Sequence, residues 1–184
     1  MPLQKITKEE LLLKSISVFT KKGYYRTSMS DLAKACHLTK GAFYHHYESK
    51  EAVMMSCLMT TAEIFKKNVF SIAYEENTSP MNRLKKMAEV TYKTFTVENG
   101  SCYFANTILE TIQIEDTFIE IIKDFFAAWE AAMMKIFTTK YSMKKSKELS
   151  TKAIVDIEGS MILMQLHNDT KYLKDSLNRI MKTY

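Results

Sequence analysis

The chain has 184 residues, 46% of them hydrophobic and 26% charged, with a formal net charge of +5. That is enough for a well-buried core in one or two globular domains; no apolar run approaches the roughly 18 residues of a membrane span, and the start, Met-Pro-Leu-Gln-Lys, lacks a signal-peptide core, so a cytoplasmic protein without a membrane partner is expected. The three cysteines, Cys36, Cys57 and Cys102, lie too far apart to mark a disulfide framework or a paired metal motif.

Nearly every segment has helical period and no alternating strand stands out, so an all-α chain of about nine helices is expected. Four glycines and two prolines leave few breaks. Thr7-Lys8-Glu9-Glu10 is a capping box opening a first helix over 8–22, with Leu12, Ile16 and Phe19 on one face and Gly23 as its C-terminal stop. Ser28-Met29-Ser30-Asp31 repeats the capping-box pattern for a second helix. A third, short helix is expected at about 39–46. Ser49 caps a long fourth, about 50–75.

Asn77-Thr78-Ser79-Pro80 is the clearest loop, and Pro80 suits the first turn of a fifth helix. Glu98-Asn99-Gly100 breaks the chain before a sixth, about 101–113. Asp116 is placed to cap a seventh, about 117–140. An eighth, about 145–167, and a ninth, about 170–182, are separated by Asn168-Asp169.

Residues 27–51 carry the most specific signal. Leu32, Ala33 and Cys36 form one apolar face, and Leu38, Phe43 and Tyr47 form the face opposing it. Thr39, Lys40, Gly41, Ala42, Tyr44 and His45 remain on the outer side of the second of the two short helices. A packed back and a polar front are what a helix-turn-helix needs to enter a DNA major groove. Charge agrees with this. Residues 1–50 hold nine basic and four acidic side chains, whereas the rest of the chain holds 17 of each. All the excess positive charge therefore lies in the segment with the motif, where a polyanion gains from counterion release.

Thr-Lys-Gly-Ala-Phe-Tyr-His-His-Tyr-Glu-Ser-Lys-Glu, at 39–51, resembles the recognition helix and following turn of TetR-family transcriptional regulators. The match extends upstream through Gly23-Tyr24-Tyr25-Arg26-Thr27-Ser28 and Asp31-Leu32-Ala33, covering about residues 8–52. It implies a helix-turn-helix DNA-binding domain at 1–48 and a helical ligand-binding and dimerisation domain at 49–184. Thr27 and Ser28 would stand at a helix start suited to a phosphate. Thr39 and Lys40 would open the recognition helix, with Lys40 reaching a guanine edge or a phosphate. Gly41 and Ala42 would let the backbone approach the bases. Tyr44 and His45 would donate to phosphates, and Lys50 would add a point charge. His45, His46, Glu48 and Glu51 do not form a metal motif, because adjacent histidines diverge by about 100° on a helix and the His-x-x-x-His spacing is missing. His46 is expected to pack or to bond between helices.

Residues 50–184 hold eight of the ten phenylalanines and most of the methionines. Such an interior is either plain core or an adaptable apolar cavity. The resemblance implies the cavity: a small, largely apolar effector would bind there and change the spacing of two DNA-binding heads. Phe65, Tyr92, Cys102, Tyr103, Phe125, Trp129 and Met161 are the candidate lining. The resemblance also implies a homodimer formed by the last two helices, with Ile154, Ile157, Gly159, Met161, Leu173, Leu177 and Ile180 as candidate contacts. Two heads about one DNA turn apart, roughly 34–36 Å, would read a palindromic operator on double-stranded DNA.

Gly100-Ser101-Cys102-Tyr103-Phe104-Ala105-Asn106 is similar to a Gly-Cys-x-x-x-Asn stretch in one branch of the family. There Cys102 would be an electrophile- or oxidant-sensing thiol, the alternative being a packed cysteine. An all-α enzyme with a hydrophobic cavity lacks support: no nucleophile motif, acid/base pair or cofactor loop appears, and no cofactor is expected. A non-specific DNA-organising protein is the remaining alternative.

Overall fold

The computed structural model describes residues 6–96, 101–113 and 116–184. Among them it contains nine α-helices: α1 Lys8–Lys22, α2 Met29–Ala35, α3 Lys40–Tyr44, α4 Lys50–Asn68, α5 Pro80–Thr96, α6 Tyr103–Thr111, α7 Ile119–Phe137, α8 Met143–His167 and α9 Lys171–Thr183. The chain is all-helical, as expected. The expected break at Glu98-Asn99-Gly100 lies outside the described residues. None of the described helices is long and apolar enough to cross a membrane.

Two compact units emerge, one made of residues 1–62 with 103–122, the other of 63–102 with 123–184. In the first, α1 begins with the anticipated capping box: Thr7 Oγ1 accepts from the Glu10 amide at 3.1 Å, and the Thr7 amide donates to Glu10 Oε2 at 2.9 Å. Its buried face presents Leu11, Leu12 and Phe19. Cys36 and Cys57 lie against it, their thiols donating to the carbonyls of Leu11 and Leu12. Burial pushes the Cys57 thiol up to about 12, which removes it from thiolate chemistry. Around them Leu32, Phe43, Val53, Met54, Leu58, Phe104 and Phe118 complete a core with almost no solvent contact.

α4 begins where expected, with Ser49 Oγ accepting from the Ala52 amide at 3.0 Å. It stops at Asn68 rather than running to 75. The chain tightens into a 3-10 turn over Phe70–Tyr74, in which Phe70, Ile72 and Ala73 are buried while Tyr74 faces solvent. The expected helix over about 50–75 is thus divided into an α-helix and a separate 3-10 turn.

In the second unit, Phe65, Phe70, Phe95, Phe125, Phe126 and Trp129 pack ring against ring. The Phe65–Phe125 and Phe70–Trp129 centres are 5.4 Å and 6.2 Å apart. α8 packs against α9, and the buried side chains include Leu149, Ala153, Ile157, Met161 and Met164 on α8 and Leu173, Leu177 and Ile180 on α9. Asn168, at φ +49°, ends α8 in a left-handed cap: its amide reaches back to the Gln165 carbonyl at 3.4 Å, and the Asp169 amide to Met164 at 3.1 Å.

Candidate nucleic-acid interface

The helix-turn-helix is assembled by local hydrogen bonds that the sequence dictates. α2 is capped reciprocally by Ser28 and Asp31: Asp31 N to Ser28 Oγ is 3.1 Å and Ser28 N to Asp31 Oδ2 is 2.9 Å. Lys22 Nζ sits 2.6 Å from Asp31 Oδ1. Together Lys22 and Ser28 hold the Asp31 carboxyl well below the usual carboxylate range. At its other end α2 closes in a Schellman turn. The His37 amide bonds to the Lys34 carbonyl at 3.1 Å and the Leu38 amide to Ala33 at 2.9 Å, with His37 at φ +56°. A glycine usually occupies that left-handed position, so His37 holds it under strain.

Thr39 then caps α3, its Oγ1 accepting from the Ala42 amide at 3.2 Å. Phe43 and Tyr47 are buried and Leu38 half-buried, the expected packing side. Thr39, Lys40, Gly41, Tyr44 and His45 are exposed and Ala42 is half-buried, the expected open side. A Cβ on Gly41 would meet nothing within 4 Å, so this turn of backbone has free space in front of it. The Lys40 ammonium lies 5.9 Å from the centre of the Tyr44 ring, placing cation and aromatic on the same outer surface. α3 ends two residues earlier than expected, because the His46 and Tyr47 amides both turn back to the Phe43 carbonyl. His46 is consequently exposed rather than packed.

Two expected phosphate contacts are corrected. Thr27 is only 2% exposed, its hydroxyl donating to the Gly23 carbonyl at 2.6 Å and its amide to Tyr24 at 3.2 Å. Both of its donors are spent on closing the turn that precedes α2. Lys50 donates to the Tyr24 carbonyl at 2.8 Å and stands 4.2 Å from the centre of the Tyr24 ring. Burial lowers its pKa, with Glu110 working in the opposite direction. Its charge is directed into the fold.

The candidate effector lining is divided between the two units. Phe65, Phe125 and Trp129 belong to the aromatic core, where rings fill the space expected for a ligand. Tyr103 lies in the first unit, its hydroxyl 2.7 Å from Met54 Sδ. Cys102 and Met161 are buried. Tyr92 borders a groove of about 250 Å³ between α5 and α9, floored by Ala88, Leu177 and Met181. A larger hollow, of about 550 Å³, lies at the α8–α9 turn beside Phe95, Thr96, Met164 and Asn168.

The dimer candidates also divide. Ile157, Met161, Leu173, Leu177 and Ile180 are buried within the chain, and Ile154 is half-buried. Gly159 is exposed with open space before it. Beside it on α8, Val155, Ile162, Leu163 and Leu166 are exposed, Val155 by 63% and Leu166 by 73%. Sequence reading missed these four.

The profile described as "Bacterial regulatory proteins, tetR family" matches residues 11–56. The profile "Transcriptional regulator LmrA/YxaF-like, C-terminal domain" matches residues 80–178, more than half of the chain. The chain belongs to the TetR family. It is thus a DNA-binding transcriptional regulator of the helix-turn-helix type and not an enzyme. An HTH-type transcriptional regulator from the lacX 3' region of Lactococcus lactis subsp. lactis is 23% identical over 181 residues, covering 96% of this chain and 92% of its own. The HTH-type transcriptional repressor DhaR of Mycobacterium sp. (strain GP1) is 22% identical over 92% of this chain and 88% of its own. In fold, the chain is similar to the crystal structure of a TetR transcriptional regulator from Legionella pneumophila, with a TM-score of 0.88 and 20% identity over 100% of this chain and 99% of that one.

Proposed function

We propose that this TetR-family protein is a repressor that binds a palindromic operator as a homodimer and is released by a small, largely apolar effector held in its second unit. The observation that carries the DNA-binding part is the outer surface of α3. Thr39, Lys40, Tyr44 and His45 are exposed around a glycine with open space before it, on a helix whose back is locked by Phe43. In this reading Gly41 and Ala42 let the backbone approach the base edges, Lys40 reads a guanine or a phosphate, and Tyr44, His45 and Ser28 set register on phosphates. Thr27 and Lys50 act from behind, through the turn they close. The DNA-binding domain is taken as 1–48 and the effector and dimerisation domain as 49–184.

The homodimer is supported by the apolar stripe of Val155, Ile162, Leu163 and Leu166 on α8. These residues recur at helical spacing around Gly159, where the absence of a side chain permits close approach of a second α8. In this reading a twofold axis through that face brings two chains together, each with its own α3. The effector is supported by the apolar and methionine-rich second unit. Bound molecules shift the protein between states by their differential affinity for each. Cys102, 3% exposed, is a packed cysteine in this reading.

Selection of binding sequences from random duplexes tests the reading, followed by affinity for the selected palindrome against random DNA across a salt series. A selected site bound many-fold more tightly than random DNA, by a species of twice the chain mass, is the expected result. Equal affinities would sink the regulator. Mass spectrometry of molecules co-purifying with the protein identifies the effector class. Alkylation of Cys102 with unchanged DNA binding excludes the thiol sensor.

A further inference from the structure

We infer that Glu110, on the last turn of α6, is a positioning residue for DNA recognition: its carboxylate holds the loop between α1 and α2 in the geometry that presents α2 and α3. The inference rests on the DNA-binding reading and adds a residue outside the helix-turn-helix. Glu110 Oε2 accepts the Tyr24 amide at 2.8 Å, with the Tyr25 amide at 3.5 Å from the same oxygen. An amide bonded to a carboxylate is stronger than a neutral pair. Gly23, at φ +78°, adjoins this contact, and a Cβ there would overlap the Glu110 carboxylate. The positive φ favours glycine at 23, and a side chain there would also displace the Glu110 carboxylate from the contact. Within α6 itself the placement is unfavourable, because a carboxylate near a helix C-terminus opposes the helix dipole. The benefit lies in what it grips.

Tyr24 is held on every side. Glu110 takes its N–H, Lys50 at the start of α4 donates to its carbonyl at 2.8 Å, and Phe118 meets its ring edge-on with centres 5.1 Å apart. The same carbonyl accepts the Thr27 amide at 3.2 Å, one residue before the Ser28 cap of α2. Tyr24 thus ties the entrance of the helix-turn-helix to α4, α6 and the segment leading into α7. A displacement of α6 by about 1 Å takes the 2.8 Å bond past the useful range. Motion of α6 then either carries the loop along or releases it, and both change how α2 and α3 are held.

The test compares the full-length wild type with Glu110→Ala and Glu110→Gln. Affinities are measured for an operator selected from random duplexes and for random-sequence duplex, with hydrogen exchange followed on residues 23–28. Glu110→Ala removes a negative charge, which by electrostatics alone would tighten binding to any DNA. The latch predicts the reverse for the operator: a loss of about tenfold or more, with random DNA bound within about twofold of wild type and faster exchange at Tyr24 and Tyr25. Glu110→Gln keeps an acceptor oxygen and is expected within about threefold of wild type on the operator. Unchanged or tighter operator binding by Glu110→Ala, with its exchange unaltered, overturns the proposal. So does a Glu110→Gln as impaired as Glu110→Ala, because the acceptor would then not be what matters. Should Glu110→Ala fail to fold, Glu110→Asp, which keeps the charge but withdraws the carboxylate by one methylene, must show the same selective operator loss or the proposal falls. A wild type without preference for any sequence refutes the regulator reading instead, and the Tyr24 exchange rates then decide the latch by themselves.

Discussion

Glu158 on α8 couples the stability of the second unit to pH. Its Oε1 is buried without a hydrogen-bond partner, and burial pushes the carboxyl from 4.5 up to about 7, a hydrogen bond with Cys102 only partly offsetting the shift. The folded chain therefore holds this proton more tightly than the unfolded chain does. Its contribution is fully present below pH 4.5 and is lost as pH rises towards 7. A gap of two to three pH units, at about 1.4 kcal/mol each, amounts to roughly 3 kcal/mol of folding free energy forgone at pH 8. Glu158→Gln removes the titration while keeping the shape, at a cost of about 1–3 kcal/mol if its amide N–H groups find no acceptor. In urea melts at fixed protein concentration, the variant should be equal to or less stable than wild type at pH 5. It should gain about 2–3 kcal/mol relative to wild type between pH 5 and pH 8. Glu10, Asp31, Glu148 and Asp169, whose pKa values are lowered, titrate below this window and do not mask it. A wild-type-minus-variant difference that stays flat from pH 5 to pH 8 refutes the reasoning.

Gly41→Leu meets open space, so it should leave the melting temperature unchanged or slightly raised, by up to about 1 kcal/mol of helix propensity, while abolishing operator binding in a gel-shift assay. An operator affinity that survives would remove α3 from the interface. His37→Gly relieves the left-handed strain of the Schellman turn and should stabilise the chain by up to about 1 kcal/mol in thermal melts, the extra freedom of the unfolded glycine taking back part of the gain. Ile162→Asp charges the exposed face of α8. Light scattering should then report the mass of a single chain, with helical content unchanged, and a persisting dimer would move the interface elsewhere.

Short-range chemistry made much of this fold readable in advance. The boxes at Thr7/Glu10 and Ser28/Asp31, the cap at Ser49 and the break at Asn168-Asp169 each need only neighbours within five residues, and each forms as the sequence implies. What was not read depends either on a residue type that serves two roles, as in Thr27, or on partners distant in sequence, as in Lys50 and Glu110. Thr27 and Lys50 carry the residue types of phosphate ligands, yet their donors go to the Gly23 and Tyr24 carbonyls, the second of them 26 residues away. Glu110 lies 86 residues from the amide it binds, and no pattern around it marks that pairing. The aromatic residues of 50–184 read as either core or cavity, and only the resemblance implied the cavity. Ring against ring, they close on one another.

α8 shows what kind of information was present but misread. Its apolar residues occupy two faces, one with Ile157, Met161 and Met164, the other with Val155, Ile162, Leu163 and Leu166. Periodicity identifies both, and cannot say which turns inward until α9 is seen to cover the first. Ile157 and Met161, both read as dimer candidates, are buried within the single chain. The surplus was nonetheless a signal. A water-exposed helix in a globular domain needs one apolar stripe, and a second stripe of about four large side chains costs roughly 1.5–3 kcal/mol for each one left in water. Counting stripes against available neighbours, instead of ranking residues by hydrophobicity, singles out the outer face as the one to which the proposed homodimer is assigned.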